Sequence, residues 1–164
     1  MPAQLMTLYA FTLAVCERLM ADIRQEEMER QPAKGVNTPA WILGHLAICT
    51  DFALKLLGQP TRLPASWHEE FGPGSSPLPE KHPYPSRDEL LSALAAGHAA
   101  VVAALPSADA KAMAGPNPLV ALPFVVQTLP TVGDLLAHLI STHEAAHLGH
   151  LSNWRRQMGR APLF

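Results

Sequence analysis

The sequence predicts an all-α protein, a four-helix bundle that forms one domain over residues 1–164. Three observations lead to this fold class. Apolar residues recur at helical spacing in four segments of about 20 to 28 residues. Residues that start or stop helices border these segments. Finally, 48% of the residues are apolar, which is enough for a buried core and argues against disorder.

The first two helices are bounded by stop and start signals. Apolar residues follow a helical period across residues 2–29, and Pro32 and Gly35 end that pattern. Residues 37–39, Asn-Thr-Pro, then offer a capping side chain followed by proline at the first helical position. The second helix is therefore predicted to run from this cap to about Gly58.

A long proline-rich connection is predicted between the second and third helices. Residues 59–85 contain seven of the 16 prolines, and residues 72–76 read Gly-Pro-Gly-Ser-Ser. We expect no regular element to survive this composition. Connections of this length are substrate lids, interfaces or structural excursions, and the composition leaves these alternatives open.

The third helix begins with a capping box. Ser86 stands at the cap and Glu89 follows three residues later, so each can bond to the backbone of the other. The helix is predicted to continue to about Leu105, where Pro106 ends it. A second irregular stretch follows, in which residues 119–129 have β-like side chains and could be extended, although they predict no sheet.

The fourth helix is predicted from Thr131 to about Met158. Arg155 and Arg156 lie in its last turns, where positive charge suits the helix dipole. Gly159 suits the position just after the helix end.

Charge and composition exclude several classes of function. The net charge of −2 and the absence of a concentrated basic face argue against a nucleic-acid partner. No secretory signal precedes the first helix, and no uninterrupted apolar run reaches the ~18 residues of a membrane span. Cys16 and Cys49 are interpreted as free thiols. We therefore expect a soluble cytoplasmic protein without a membrane partner.

Histidines on two predicted helices form a candidate metal site. His143 and His147 are four residues apart and project from one face of the fourth helix, with His150 in the same sector of about 60°. His45 lies on the inward stripe of the second helix. A lone histidine on an apolar face is usually a hydrogen-bonded core residue, whereas several buried imidazoles are costly unless an ion satisfies their nitrogens.

Three histidines would leave coordination positions of a transition metal open. Imidazole suits zinc, nickel and iron among other ions, so the sequence does not choose the metal. The ion could lower the pKa of a bound water, which leads to hydrolysis, or hold a thiol as its thiolate for attack on an electrophile. The residues alone do not separate these two reactions.

Three further polar residues have two interpretations each. Cys49 could be a ligand or reactive thiol, although a small core residue is the more common case. His98 could line a pocket or be a hydrogen-bonded core histidine. Glu144 points about 100° away from its neighbour His143 and is expected to be exposed or to support a ligand from outside.

The remaining histidines and two tryptophans are assigned lesser roles. His138 lies off the ligand stripe. His68 and His82 fall in the proline-rich connection and are expected to be solvated or to contribute to an interface. Trp41 and Trp154 are expected to pack in the core, although Trp154 could form the floor of a pocket.

Two motifs resemble those of the DinB/YfiT-like superfamily. Residues 41–46 read Trp-Ile-Leu-Gly-His-Leu, and residues 143–151 read His-Glu-Ala-Ala-His-Leu-Gly-His-Leu, followed by Arg-Arg-Gln-Met-Gly at residues 155–159. With the four helices and the long second connection, the resemblance covers essentially the whole chain. It implies a helical bundle, often a homodimer, whose divalent metal is held by His45, His143 and His147.

The resemblance also implies a class of activity. We predict a thiol-dependent S-transferase, or a related enzyme, that acts on small electrophiles with a divalent transition metal (zinc, nickel or iron) and a low-molecular-weight thiol cosubstrate. A metal-dependent hydrolase with the same ligands is the alternative, and a non-catalytic homodimeric metal-binding bundle is a third hypothesis. His150 stands where relatives often carry glutamine. We predict that it is a catalytic base or an outer hydrogen-bond partner rather than a fourth ligand.

Overall fold

The structure, a computed structural model, describes residues 3–75, 77 and 84–163. These residues form helices and no strand, which confirms the all-α prediction. The α-helices are α1 (Ala3–Met20), α2 (Pro39–Leu56), α3 (Ala65–Glu70), α4 (Arg87–Ala104), α5 (Ala110–Met113), α6 (Pro123–Thr128), α7 (Val132–His138) and α8 (Glu144–Gln157).

The helix α1 ends at Met20, so the prediction that it continues to residue 29 is wrong. Two arginines from distant parts of the chain bind the last carbonyl groups of this helix. Arg155 donates to the carbonyl oxygen of Leu19 at 2.6 Å, and Arg87 donates to that of Met20 at 3.0 Å. These bonds satisfy carbonyl groups that have no partner within the helix, and the chain can turn there.

The helix α2 is the central helix of the bundle. Its start is confirmed, because the Thr38 hydroxyl accepts a hydrogen bond from the backbone N–H of Trp41 and Pro39 occupies the first turn. Nearly all of its residues are buried, which explains why its sequence is apolar on every side. It ends before Gly58, whose φ of +72° is readily adopted only by glycine.

The proline-rich connection contains the short helix α3, so the prediction that it holds no regular element is wrong. Pro64 directly precedes α3 with a φ of −59°, a value that the proline ring fixes and that suits a helix start. The buried carboxylate of Asp51 fastens the connection to α2, because Oδ2 accepts the backbone N–H groups of Arg62 at 2.9 Å and Leu63 at 2.8 Å. Residues 76 and 78–83 of this connection lie outside the described part of the chain.

The helix α4 begins and ends as predicted. The Ser86 hydroxyl accepts the N–H of Glu89 at 3.3 Å, and the Glu89 carboxylate accepts the N–H of Ser86 at 2.7 Å. A 3₁₀ turn that contains Pro106 follows. The segment Arg87–Ser107 is long and apolar enough to cross a membrane by length and composition, a test that core helices of bundles also pass. Here the helix packs along α2 through buried residues that include Leu94.

The stretch between α4 and α7 is more helical than predicted. It contains α5 and α6, so the prediction that residues 119–129 could be extended is wrong for Pro123–Thr128. Pro123 occupies the first turn of α6, a position where its missing N–H costs nothing. The side chain of Asn117 donates to the carbonyl of Leu129 at 2.8 Å, and this hydrogen bond joins the two ends of the segment between α5 and α7.

The last helical region is continuous but not uniform. Thr131 and Asp134 form a capping box at its start, and Gly159 follows its end with a φ of +77°, both as predicted. Between α7 and α8 lies a π-helical segment, Leu139–His143, which the helical periodicity of the sequence does not predict. A π turn widens the helix by one residue and therefore changes which residues face the core.

Four long helical regions pack as a bundle. The main contacts join α2 to α4 and α8, and α1 to α8 and α4. The consecutive helices α1 and α2 therefore lie diagonally opposite each other, and the bundle is not a simple series of adjacent hairpins. This topology brings the middle of α2 against the start of α8, where the predicted ligands lie.

Candidate metal centre

Three histidines from two distant parts of the chain meet between α2 and the start of α8. His45 lies on α2, His143 ends the π-helical segment, and His147 lies one turn into α8. One ring nitrogen of each lies within 4.8 Å of those of the other two. The Nε2 atoms of His45 and His143 are 3.4 Å apart. Two nitrogen ligands of a tetrahedral ion are separated by about 3.3 Å when each bond is about 2.0–2.1 Å.

The orientation of His45 is fixed from both sides. Its Nδ1 lies 2.7 Å from the carbonyl oxygen of Phe71, the residue that follows α3. Because a carbonyl oxygen can only accept, Nδ1 carries the proton and Nε2 keeps its lone pair for a ligand. The indole of Trp41 stacks on the imidazole with centroids 4.8 Å apart and planes 7° from parallel. The proline-rich connection thus helps to set the tautomer of a candidate ligand.

The π-helical segment determines how the other two imidazoles are presented. Leu136 and Ile140 are buried, and an uninterrupted α-helix would continue that buried face through His143 and His147. In α8 the buried residues are instead Glu144, Leu148, Leu151, Trp154 and Arg155. The extra residue of the π turn has shifted the buried face by one position. His143 and His147 are consequently half-buried at the edge of the core, where small molecules can reach them.

All three imidazoles are held in the neutral form that binds metal ions. Burial lowers the pKa of His45, although its hydrogen bond to Phe71 opposes this effect. Burial, and then the proximity of His45 and His138, lowers the pKa of His143 to about 4. The same causes, with His45 and His143 as neighbours, lower the pKa of His147 to about 3. A metal ion at neutral pH would therefore not compete with protons for these nitrogens.

The residues present fit a transition-metal ion. Among the described residues, no group forms a hydrogen bond with Nδ1 of His143 or Nδ1 of His147, although both atoms are buried. Because Nε2 of His143 faces Nε2 of His45, an ion there would leave Nδ1 of His143 for an outer hydrogen-bond partner, and the fit to a metal rests on the convergence of the three imidazoles. Imidazole nitrogen is a preferred ligand of zinc, nickel and iron, and three such ligands leave part of the coordination sphere open.

A cavity of about 670 Å³ lies next to Cys49, and its wall does not include the three histidines themselves. Its wall includes Cys49, whose Sγ is 3.7 Å from Nε2 of His45, so the cavity and the histidine cluster are neighbours. Most of the wall is apolar, with Phe52 from α2 and Leu119 from the later connection. The volume is within the usual range of pockets for small organic molecules.

Comparison with known protein families agrees with this geometry. The model of the DinB superfamily matches residues 8–151, which include all three histidines and most of the bundle. The chain belongs to the DinB superfamily. A search of curated proteins finds no match. Family membership and the three-histidine cluster together fit a metal-binding DinB protein.

Two other residues of this DinB protein lie next to the cluster. The side chain of His150 is exposed, and its ring centroid is 5.5 Å from that of His147. Its predicted role as a base or outer partner stays a prediction. Cys49 is half-buried, and burial together with the negative charge of Glu144 raises the pKa of its thiol to about 12. Its thiol is therefore protonated at neutral pH, which is the state of an unreactive cysteine.

Glu144 is buried, so the first of its two expected positions, exposure to solvent, is wrong, and the second, support of a ligand from outside, stays a prediction. Its carboxylate lies 2.6 Å from Nε2 of His98 and also accepts a hydrogen bond from the hydroxyl of Thr12. The ring of Tyr9 stacks on His98 with centroids 3.8 Å apart. His98 is therefore a hydrogen-bonded core histidine that ties α4 to α8. The π turn explains the burial of Glu144, because it rotates this residue into the core.

The remaining candidates of the DinB protein are placed as follows. His68 is not simply solvated, since its Nε2 lies 3.2 Å from the buried carboxylate of Asp51. His82 lies outside the described residues. His138 is bonded to the hydroxyl of Thr142. Trp154 is fully buried and donates to a backbone carbonyl, so it packs in the core and does not form the floor of a pocket.

Two residues that support the site were not predicted from the sequence. Phe71 acts through its backbone carbonyl, which leaves no mark in a side-chain pattern. Asp51 could have been singled out from the sequence, because it lies on α2 among apolar residues and a buried carboxylate requires hydrogen-bond partners. Its partners lie 11 to 17 residues later in the connection, at a spacing that no helical period predicts.

Proposed function

We propose that this protein is a metal-dependent enzyme that transfers a low-molecular-weight thiol to small electrophiles. The observation that carries this proposal is the contact between the three-histidine cluster and the apolar cavity through Cys49. Bound by three neutral imidazoles, a divalent ion would keep its full charge and favour deprotonation of a thiol or a water molecule, because the group found among the described residues contains no negative ligand.

The residues around the cluster support a reactive rather than a purely structural site. A structural zinc site is closed by four protein ligands, whereas the compact group among the described residues contains three. The thiol of Cys49 lies 3.7 Å from Nε2 of His45 but is not part of the compact three-histidine group. His143 and His147 are half-buried, so a small molecule can approach from the open side.

The cavity supports a small, largely apolar substrate. Ile48, Phe52 and Leu63 contribute apolar surface, which excludes water from bound molecules. A volume of about 670 Å³ has room for a thiol and an electrophile together. Lys55 is exposed at the wall and can attract an anionic group of the thiol.

Metal content tests the site directly. The protein is purified without a chelating tag, loaded with zinc and dialysed, and bound zinc is measured by mass spectrometry. We expect one ion per chain in the wild type, loss of the ion in His147→Ala, and retention in the control His150→Ala. Equal zinc content in the wild type and in His147→Ala would refute these ligands, and loss in His150→Ala would make His150 a fourth ligand.

Two reactions test the activity of the loaded protein. With 2-mercaptoethanol and 1-chloro-2,4-dinitrobenzene, we expect formation of the thioether at a rate that depends on His147. The absorption spectrum of the cobalt-substituted protein should shift when the thiol is added. Hydrolysis of 4-nitrophenyl acetate without any thiol effect would favour the hydrolase. A stoichiometric ion with neither reaction nor spectral shift would favour a non-catalytic metal-binding bundle.

We further propose that the protein is a homodimer that uses the outer face of α1. Leu8 and Phe11 on this face are 52% and 57% exposed. Phe11 also borders an apolar groove between α1 and α8 whose floor includes Gly149. Sedimentation equilibrium should give twice the chain mass of 17.7 kDa, and Phe11→Glu should give the monomer mass. A monomeric wild type at micromolar concentration would contradict the proposal.

A further inference from the structure

His68 and Asp51 form a hydrogen-bonded pair at the wall of the cavity. His68 lies on α3 and its side chain is 36% exposed, whereas the side chain of Asp51 on α2 is fully buried. Nε2 of His68 lies 3.2 Å from Oδ2 of Asp51. That oxygen already accepts two backbone N–H groups, so it is an acceptor and Nε2 carries the donated proton.

The other ring nitrogen of His68 is free to exchange a proton. In the neutral ring the lone pair is on Nδ1, because Nε2 holds the hydrogen that points to Asp51. Among the described residues, no group forms a hydrogen bond with Nδ1. His68 belongs to the wall of the cavity that Cys49 joins to the histidine cluster. A base with a fixed tautomer thus lies in the proposed substrate pocket.

The hydrogen bonds that anchor the proline-rich connection use only one of the two carboxylate oxygens of Asp51. The two backbone N–H groups of Arg62 and Leu63 both bind Oδ2. Oδ1 is buried and has no hydrogen-bond partner among the described residues. A buried carboxylate with one unsatisfied oxygen is costly. A proton taken up at Nδ1 of His68 would place a positive charge beside this carboxylate, the arrangement by which a buried aspartate stabilises an imidazolium in serine proteases.

We propose that His68 is the general acid–base residue of the reaction in this cavity and that Asp51 is its positioning residue. This inference rests on the proposed function, because it requires a reaction in the pocket. It assigns the role of base to His68 rather than to His150. In the described part of the chain, His68 contributes to the cavity wall and His150 does not.

The proton transfer balances without a further reactant. Nδ1 of His68 accepts the proton of the thiol, and the S–H electron pair stays on sulfur. That pair forms the new bond to the carbon of the electrophile, while the bond from carbon to the leaving group breaks with its electron pair. The imidazolium then returns the proton to a basic leaving group, or to solvent when the leaving group is chloride. In hydrolysis the O–H bond of water takes the place of the S–H bond.

Other ionisable groups around the cavity differ from His68. Lys55 on α2 and Glu69 on α3 are exposed and contribute to the same wall. Neither is paired with a buried partner in the way that His68 is paired with Asp51. A pH-dependent rate that disappears when His68 is replaced would therefore report on His68.

The test compares His68→Gln, Asp51→Asn and the control Ser66→Ala, an exposed position on α3 outside the cavity wall, in the zinc-loaded protein. Zinc content, melting temperature and the pH dependence of kcat/KM are measured for each. We expect His68→Gln to bind one zinc ion, melt near the wild type and lose about 100-fold or more of kcat/KM, since general bases contribute about 10²–10⁴-fold. The acidic limb of the pH profile should disappear. Asp51→Asn should weaken the rate in the same way, and Ser66→Ala should leave it unchanged.

The outcomes separate this inference from the proposed function. An active wild type together with His68→Gln within twofold of it overturns the role of His68 and leaves the proposed function intact. Loss of zinc in His68→Gln also overturns it, because His68 would then support the metal site. A zinc-loaded wild type without activity refutes the proposed function and this inference with it. Nitrogen NMR gives an independent check, and a proton found on Nδ1 rather than Nε2 overturns the assignment.

Discussion

The ring of Phe71 lies directly on the backbone of Gly44. A Cβ atom built on Gly44 would come 2.4 Å from Cδ1 of that ring, so the contact exists only because residue 44 has no side chain. Gly44 precedes His45, and the carbonyl of Phe71 is the group that orients His45. The same aromatic residue therefore packs on the helix and sets the tautomer of a candidate ligand.

Replacing Gly44 by alanine should weaken metal binding. The added methyl group must displace the fully buried Phe71 and move its carbonyl away from Nδ1 of His45. We expect a loss of about 1–3 kcal/mol in stability from overpacking and at least tenfold weaker zinc binding. Calorimetric titration with zinc measures the affinity.

A second glycine provides the control for this prediction. Gly149 lies in α8, and a methyl group added there would meet no atom within 4 Å. Gly149→Ala should therefore stabilise the helix by up to about 1 kcal/mol and leave zinc affinity unchanged. Equal zinc affinity in Gly44→Ala and the wild type would show that Phe71 does not control His45.

Replacing Arg155 by methionine should destabilise the protein, whereas the neighbouring Arg156→Met should not. Arg155 is buried and donates to the carbonyl of Leu19 and to the carboxylate of Asp22. Loss of hydrogen bonds from a charged donor costs about 1.5–3 kcal/mol. Arg156 is exposed, and its replacement should change stability by less than about 0.5 kcal/mol. Urea unfolding measures both, and equal midpoints for the two variants would contradict the prediction.

Stability should decrease in acid through Glu27. The Arg160 guanidinium, with the backbone N–H of Arg24, lowers the pKa of Glu27 from 4.5 to about 2. The folded pKa lies below the unfolded one, so this contribution is complete above pH 4.5 and is lost as the pH falls towards 2. The urea midpoint should fall over that range, and it should fall less in Glu27→Gln. If the urea midpoints of the wild type and Glu27→Gln fell in parallel as the pH decreased, the pair of Glu27 and Arg160 would have no role in acid stability.

The cysteines should react slowly with alkylating reagents in the native protein. Burial and the charge of Glu144 raise the pKa values of Cys16 and Cys49 to about 12. The thiolate is the reactive form, so we expect iodoacetamide to react at pH 7.5 more than about 100 times faster in urea than in the native state. Mass spectrometry counts the adducts. Rapid labelling of Cys49 in the native protein would instead identify it as a reactive thiol.

The features that the sequence predicted are those with local causes. The helix starts at Thr38, Ser86 and Thr131 follow from side chains that bind backbone groups two or three residues away. The pairing of His143 with His147 follows from their spacing on one helix. Such interactions depend little on the rest of the molecule, and a single sequence is enough to find them.

The features that it missed depend on contacts made only after folding. The end of α1 at Met20 is set by Arg87 and Arg155, which are 67 and 136 residues away from the carbonyls that they bind. The π-helical segment Leu139–His143 has no proline or glycine to mark it. The partnership of His68 with Asp51 requires the connection to fold back on α2. Local patterns carry no signal for the first two of these features, and for the third they indicate that Asp51 needs partners but not which residues provide them.

The candidate ligands also have a consequence for synthesis on the ribosome. His45 and His143 are separated by 98 positions in the chain. A nascent chain in which only α1 and α2 have left the ribosome therefore contains one of the three candidate ligands and cannot chelate an ion with all three. Closing so large a loop carries an entropic penalty that only the packed bundle offsets. A metal ion that needs all three histidines would therefore bind only after α8 has docked against α2.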